Sequence, residues 1–106
     1  AKRIVDENDS YKNIRQALTL TEQLIGSNRT LISNSEKQTF YKAGQELAQI
    51  VLEQPSYLEG LTLLKSLADG EGDETKRMAE LLKVRSVFWR VFIGSAIFTK
   101  PGNIAQ

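Results

Sequence analysis

SNSEKQTFYKAGQELAQIVLEQP, residues 33–55, carries its own start signal, its own period and its own stop. Ser33-Asn34-Ser35-Glu36 has the spacing of a capping box, in which the serine hydroxyl and the glutamate carboxylate each satisfy a backbone N–H at a helix start. Ser35-Glu36-Lys37-Gln38 is an alternative frame for the same device. From there Phe40, Ala43, Gly44, Leu47, Ile50 and Val51 recur at helical spacing and make one apolar arc. Pro55 disfavours helical geometry in the residue before it, so a helix over 34–53 is predicted. Tyr41, Ala48 and Leu52 widen the arc beyond a single stripe, which predicts neighbours on two sides.

Working outward, three more segments show the 3.6-residue period with punctuation at their ends. Residues 10–25 place Ile14, Ala17, Leu18, Thr21, Leu24 and Ile25 on one arc, with Asp9 as N-cap and Gly26 as the stop. Residues 56–68 open on a second apparent capping box, Ser56-Tyr57-Leu58-Glu59, and close before Gly70. Within them Gly60 weakens the helix by about 1 kcal/mol relative to alanine, which close packing against another backbone would offset. Residues 73–93 form the fourth helix, with Gly94 as its stop and 95–106 as an irregular tail. No segment alternates with period two. The fold class expected is all-α, a compact four-helix bundle with a C-terminal tail.

Size agrees with this. At 106 residues, with 41% hydrophobic and 25% charged residues, the chain is one globular domain with one core. It contains no cysteine and no histidine. That excludes disulfides, thiol nucleophiles, cysteine-bearing zinc sites and imidazole acid–base catalysis. The remaining candidate acids and tyrosines have structural explanations, so a non-catalytic protein is expected, with no cofactor, metal or small-molecule substrate. The most apolar window, residues 84–98, includes Arg85 and Arg90 and is shorter than the roughly 20 apolar residues that span a bilayer. With no signal-peptide pattern, a cytoplasmic location fits.

The acids Asp69, Glu71, Asp73 and Glu80 fall at positions 1, 3, 5 and 12 of a calcium-loop count. Position 6 is Glu74, where that loop requires glycine for its sharp turn, so the acids read instead as helix caps and N-terminal dipole partners. Charge in the last third is one-sided: Lys76, Arg77, Lys83, Arg85, Arg90 and Lys100 face only Glu80, although the whole chain has a net charge of +1. Lys76, Lys83 and Arg90 are seven residues apart and lie on one side of the helix, drifting only about 20° per heptad.

The densest apolar run is Val84 to Ile93. Val87 and Val91 lie far around the wheel from Phe88, Trp89 and Phe92, so one bundle face is not expected to bury both sets. Arg85 sits in the middle of the apolar arc, where its stem can pack while its head reaches water or a partner. Tryptophan and arginine together dominate interface hot spots. Arg85, Val87, Phe88, Trp89, Val91, Phe92, Ile97 and Phe98 are therefore the expected partner-binding set. The expected function is an accessory or assembly subunit, or an inhibitor, that binds another protein or a second copy of itself through the fourth helix and tail. The alternative is a subunit of a nucleoprotein complex that follows an RNA or DNA backbone with Lys76, Arg77, Lys83, Arg90 and Lys100.

Overall fold

The computed structural model describes residues 11–99, with side chains for 11–93. Among them are four α-helices and no strand: α1 (Lys12–Gly26), α2 (Asn34–Val51), α3 (Leu58–Asp69) and α4 (Glu74–Thr99), with a 3-10 turn over Pro55–Tyr57 leading into α3. The fold is an all-α four-helix bundle.

The capping box at Ser33 forms in the first of the two frames. The Glu36 N–H donates to Ser33 Oγ at 3.2 Å and the Ser33 N–H donates to Glu36 Oε1 at 2.9 Å. Arg29 pairs with the same carboxylate at 2.8 Å. Donation from Arg29, and then from the Ser33 backbone, lowers the Glu36 pKa from 4.5 to about 2. An acid lowered on folding stabilises the fold fully above its unfolded pKa and loses that contribution as pH falls toward its folded value. Stability should therefore decline from pH 4.5 toward about 2. In urea titrations over that range, Glu36→Gln is expected to flatten this component and to lose about 1 kcal/mol at neutral pH, the scale of a cap and an exposed ion pair. An unchanged acid slope would contradict the assignment.

The ends of the helices follow local backbone chemistry, with four departures from the sequence expectation. Gly26 is the last helical residue of α1 rather than the stop beyond it. Asn28 takes the left-handed conformation (φ 52°), and the Arg29 and Asn28 N–H groups donate back to the Leu24 and Ile25 carbonyls at 2.9 and 3.0 Å. Asparagine does here what glycine more often does at a helix end. The N-terminal expectation, Asp9, lies outside the described residues.

α2 ends at Val51 because Gln54, ahead of Pro55, is pushed out of helical geometry (φ −133°, ψ 78°). The box expected at Ser56 does not form: Pro55 starts a 3-10 turn in which the Tyr57 N–H donates to the Gln54 carbonyl at 2.9 Å, and α3 begins without a side-chain cap. The fourth departure is in α4, which runs through Gly94 to Thr99. One interior glycine weakens a helix by only about 1 kcal/mol, and the next strong breaker is Pro101, which restricts Lys100. Residues 95–99 of the expected tail are thus helical, and 100–106 lie outside the described residues.

At the other end of α3, Gly70 adopts the left-handed conformation (φ 71°), closing the helix as expected. Asp73 then caps α4, accepting from the Lys76 N–H at 2.9 Å. Glu80 turns inward and accepts from the buried Ser66 hydroxyl at 3.0 Å. Neither carboxylate faces a common centre, and among the described residues no three acids are grouped to hold a metal ion.

Each helix packs on two neighbours, in the cycle α1–α2–α3–α4–α1. The pairings are antiparallel. Glu46 of α2 reaches the start of α1, taking the Ile14 N–H at 2.8 Å. Ser66 meets Glu80, and a Cβ on Gly60 would touch Val87 at 2.8 Å, so α3 and α4 run oppositely. Arg77 reaches the Thr30 carbonyl, and Tyr11 meets Phe92 edge to face at 6.1 Å. The core contains Ile14, Leu24, Phe40, Leu47, Leu64, Leu67, Leu81, Val84 and Phe88. Gly60 earns its place as the sequence suggested, although its close neighbours are the side chains of Val87 and Leu47 rather than another backbone.

Candidate interaction surface

α4 occupies a corner of the bundle, with α1 on one flank and α3 on the other. A corner helix buries more of its circumference than a helix lying on a flat layer. Val84, Val87, Phe88 and Val91 are all buried, together with Leu81. The chain thus covers Val87 and Val91 itself; as expected no single bundle face buries both apolar sets, since Trp89 of the second set stays 46% exposed and Phe92 is half-buried. α3 supplies that cover through the glycine at position 60.

The expected partner-binding residues consequently divide. Val87, Phe88 and Val91 belong to the core. Phe92 is half-buried against Tyr11 and Arg85 is half-buried. Trp89 is 46% exposed, its indole N–H donating to Glu22 Oε2 at 3.1 Å across the α1–α4 seam. Ile97 and Phe98 lie on the helical extension, and their side chains are outside the described residues.

Two residues missing from that set complete a surface. Leu82 is 41% exposed and Ile93 55% exposed. With Trp89 they sit at i, i+7 and i+11, a spacing that puts all three on one outward line of the helix. At its N-terminal end, half-buried Met78 and exposed Ala79 join Leu82 along a shallow depression shared with Thr30. The spacing was present in the sequence. What hid the line was the buried arc beside it, since Phe88 and Trp89 are adjacent residues with opposite fates.

The basic set divides as well. Lys76 pairs with Glu80 at 3.8 Å. The Arg77 guanidinium donates to the Thr30 and Gly72 carbonyls, clipping the α1–α2 loop to the start of α4. Lys83 and Arg90 are exposed and have no acidic partner among the described residues. Lys100 lies outside the described residues.

A second apolar feature opens between α2 and α3, a groove of about 350 Å³ lined by Phe40, Tyr41, Gly44, Ala48, Leu61 and Ala68. α2 has the neighbours on two sides that its wide arc predicts, α1 and α3, while Tyr41 and Ala48 look outward over the groove. Lys65 and Asp69 form an ion pair at its edge at 3.1 Å, which raises the lysine pKa. Leu31, Leu52 and Leu58 are exposed apart from these features, and isolated apolar residues of this kind are ordinary on protein surfaces.

Among the described residues no helix is long and apolar enough to cross a membrane. Comparison with known proteins finds no matching family, no similar curated protein and no similar solved structure.

Proposed function

We propose that the chain is a non-catalytic interaction protein, an accessory or assembly subunit or an inhibitor, that binds another protein through the outer face of α4. The observation that carries this reading is the line of Leu82, Trp89 and Ile93, each at least 41% exposed on one side of the same helix. Exposed leucines scattered singly mean little, but apolar side chains aligned on one rigid helix form a surface that association can dry. Tryptophan in such a line supplies a large contact area with little loss of rotamer freedom.

The test measures folding and association separately. Trp89→Ala and Ile93→Ser should each retain the helical circular dichroism and lose less than about 1.5 kcal/mol of stability, since neither side chain is fully buried. The same substitutions should reduce association measured by sedimentation or by titration with a partner helix. A chain that remains monomeric, binds no apolar dye and takes up no helical partner would refute the reading.

A further inference from the structure

We infer that the partner of the α4 face is an acidic amphipathic helix of another protein, its apolar face flanked by Asp or Glu. The inference rests on the docking role proposed above and adds the partner's chemistry.

Leu82 to Ile93 is about 16 Å of helix, three turns, which matches one face of a short partner helix. Lys83 and Arg90 follow this line along one side, about a quarter turn around the helix from Leu82, Trp89 and Ile93, within reach of a partner's edge for side chains of their length. Arg85 lies on the other side, toward α1. The only acid in residues 75–106 is Glu80, and it is turned inward, bonded to Ser66 and paired with Lys76. Folding thus takes Glu80 off the outer face; the other acid of α4, exposed Glu74, stands at the helix start in the depression beside Leu82, and from Leu82 to Ile93 the charged residues of the helix, Lys83, Arg85 and Arg90, are all basic. Glu22, on the neighbouring helix, already accepts the Trp89 indole N–H.

An apolar line flanked by cations selects an occupant with apolar side chains in its centre and carboxylates at its edges. A second copy of this chain fits poorly. Antiparallel pairing that sets Leu82 of one copy against Ile93 of the other would place Lys83 of each copy near Arg90 of its counterpart, and like charges brought together oppose association. A nucleic-acid backbone would satisfy the cations but leave Leu82 and Ile93 uncovered. Only two of the expected phosphate-contacting residues are exposed without an acidic partner among the described residues, a small electrostatic footprint.

The test titrates the full chain into dye-labelled synthetic helices of about 18 residues, five turns, following the peptides' fluorescence anisotropy in every variant and Trp89 fluorescence in the parent chain. The peptides share a leucine face and differ only in flanks of Glu, Gln or Lys. Parallel titrations use an oligothymidylate and vesicles of equal parts phosphatidylcholine and phosphatidylglycerol. The Glu-flanked peptide should bind about tenfold or more tighter than the Lys-flanked one, the preference shrinking as salt rises from about 0.01 to 0.15 M and the Debye length falls from about 30 to 8 Å. The double variant Lys83→Glu, Arg90→Glu should reverse the order of the peptides. Trp89→Ala should weaken all of them.

Equal binding of the three peptides, lost in Trp89→Ala, would overturn the acidic partner and leave the docking face standing. Tighter binding of the oligonucleotide or the vesicles, or self-association of the chain, would also overturn it. No binding of any peptide, with Trp89 fluorescence unmoved, would remove both the acidic partner and the docking role.

Discussion

Phe88→Ala is expected to destabilise the fold by about 3–5 kcal/mol, whereas Trp89→Ala, one residue along, should leave it folded. Phe88 is fully buried, and its ring lies among the inner side chains of α4 and its neighbours. Truncation removes the transfer free energy of the ring and leaves a cavity that the close-packed bundle cannot close without moving a whole helix. For a domain of this size the melting temperature should fall by about 15 °C or more. Trp89 keeps 46% of its surface in water and makes one hydrogen bond, to an exposed carboxylate. Thermal melts of the two variants provide the check. Similar losses in both would mean that the tryptophan is a core residue and would weaken the case for a docking face.

Gly60→Val should destabilise by about 3 kcal/mol, opposite in sign to the effect expected from helix propensity. A Cβ at this position would lie 2.8 Å from Val87 Cγ1 and 2.9 Å from Leu47 Cδ2. Leu47 can move the end of its side chain, but Val87 is β-branched and held by the helix in one rotamer, so α3 and α4 would have to separate. The decisive measurement is a double-mutant cycle. Gly60→Val and Val87→Ala should each be destabilising alone and less than additive together, because the cavity left by the second accommodates the first. Strict additivity would mean that the two sites do not touch.

Much of the bundle was legible because its helix signals are local. The Ser33–Glu36 box, the Gly70 stop and the Asp73 cap each depend on atoms within one turn, and the apolar arcs of the first two helices follow from spacing alone. Local signals misled where two of them competed. Ser56 and Glu59 have the spacing of a capping box, but Pro55 had already committed the backbone to a 3-10 turn. Gly94 has the look of a stop, yet nothing after it breaks the helix until Pro101. The contact from Glu46 to Ile14 gave no signal, since it joins residues 32 apart in sequence through the pairing of α1 with α2.

The interaction surface was only partly legible for the same reason. An apolar residue on a helix wheel is equally suited to a core or to a partner, and which it meets depends on how many neighbours its helix has. The sequence by itself determined four helices, their order and the ends at Ser33, Gly70 and Asp73, because those follow from chemistry within a few residues. Only the tertiary structure decided that α4 fills a corner, so that Val87, Phe88 and Val91 close the core while Leu82, Trp89 and Ile93 remain outside. The physical reason is that burial is a property of the whole assembly of helices: a glycine at position 60 admits Val87 from α4, and no reading of α4 alone contains that space.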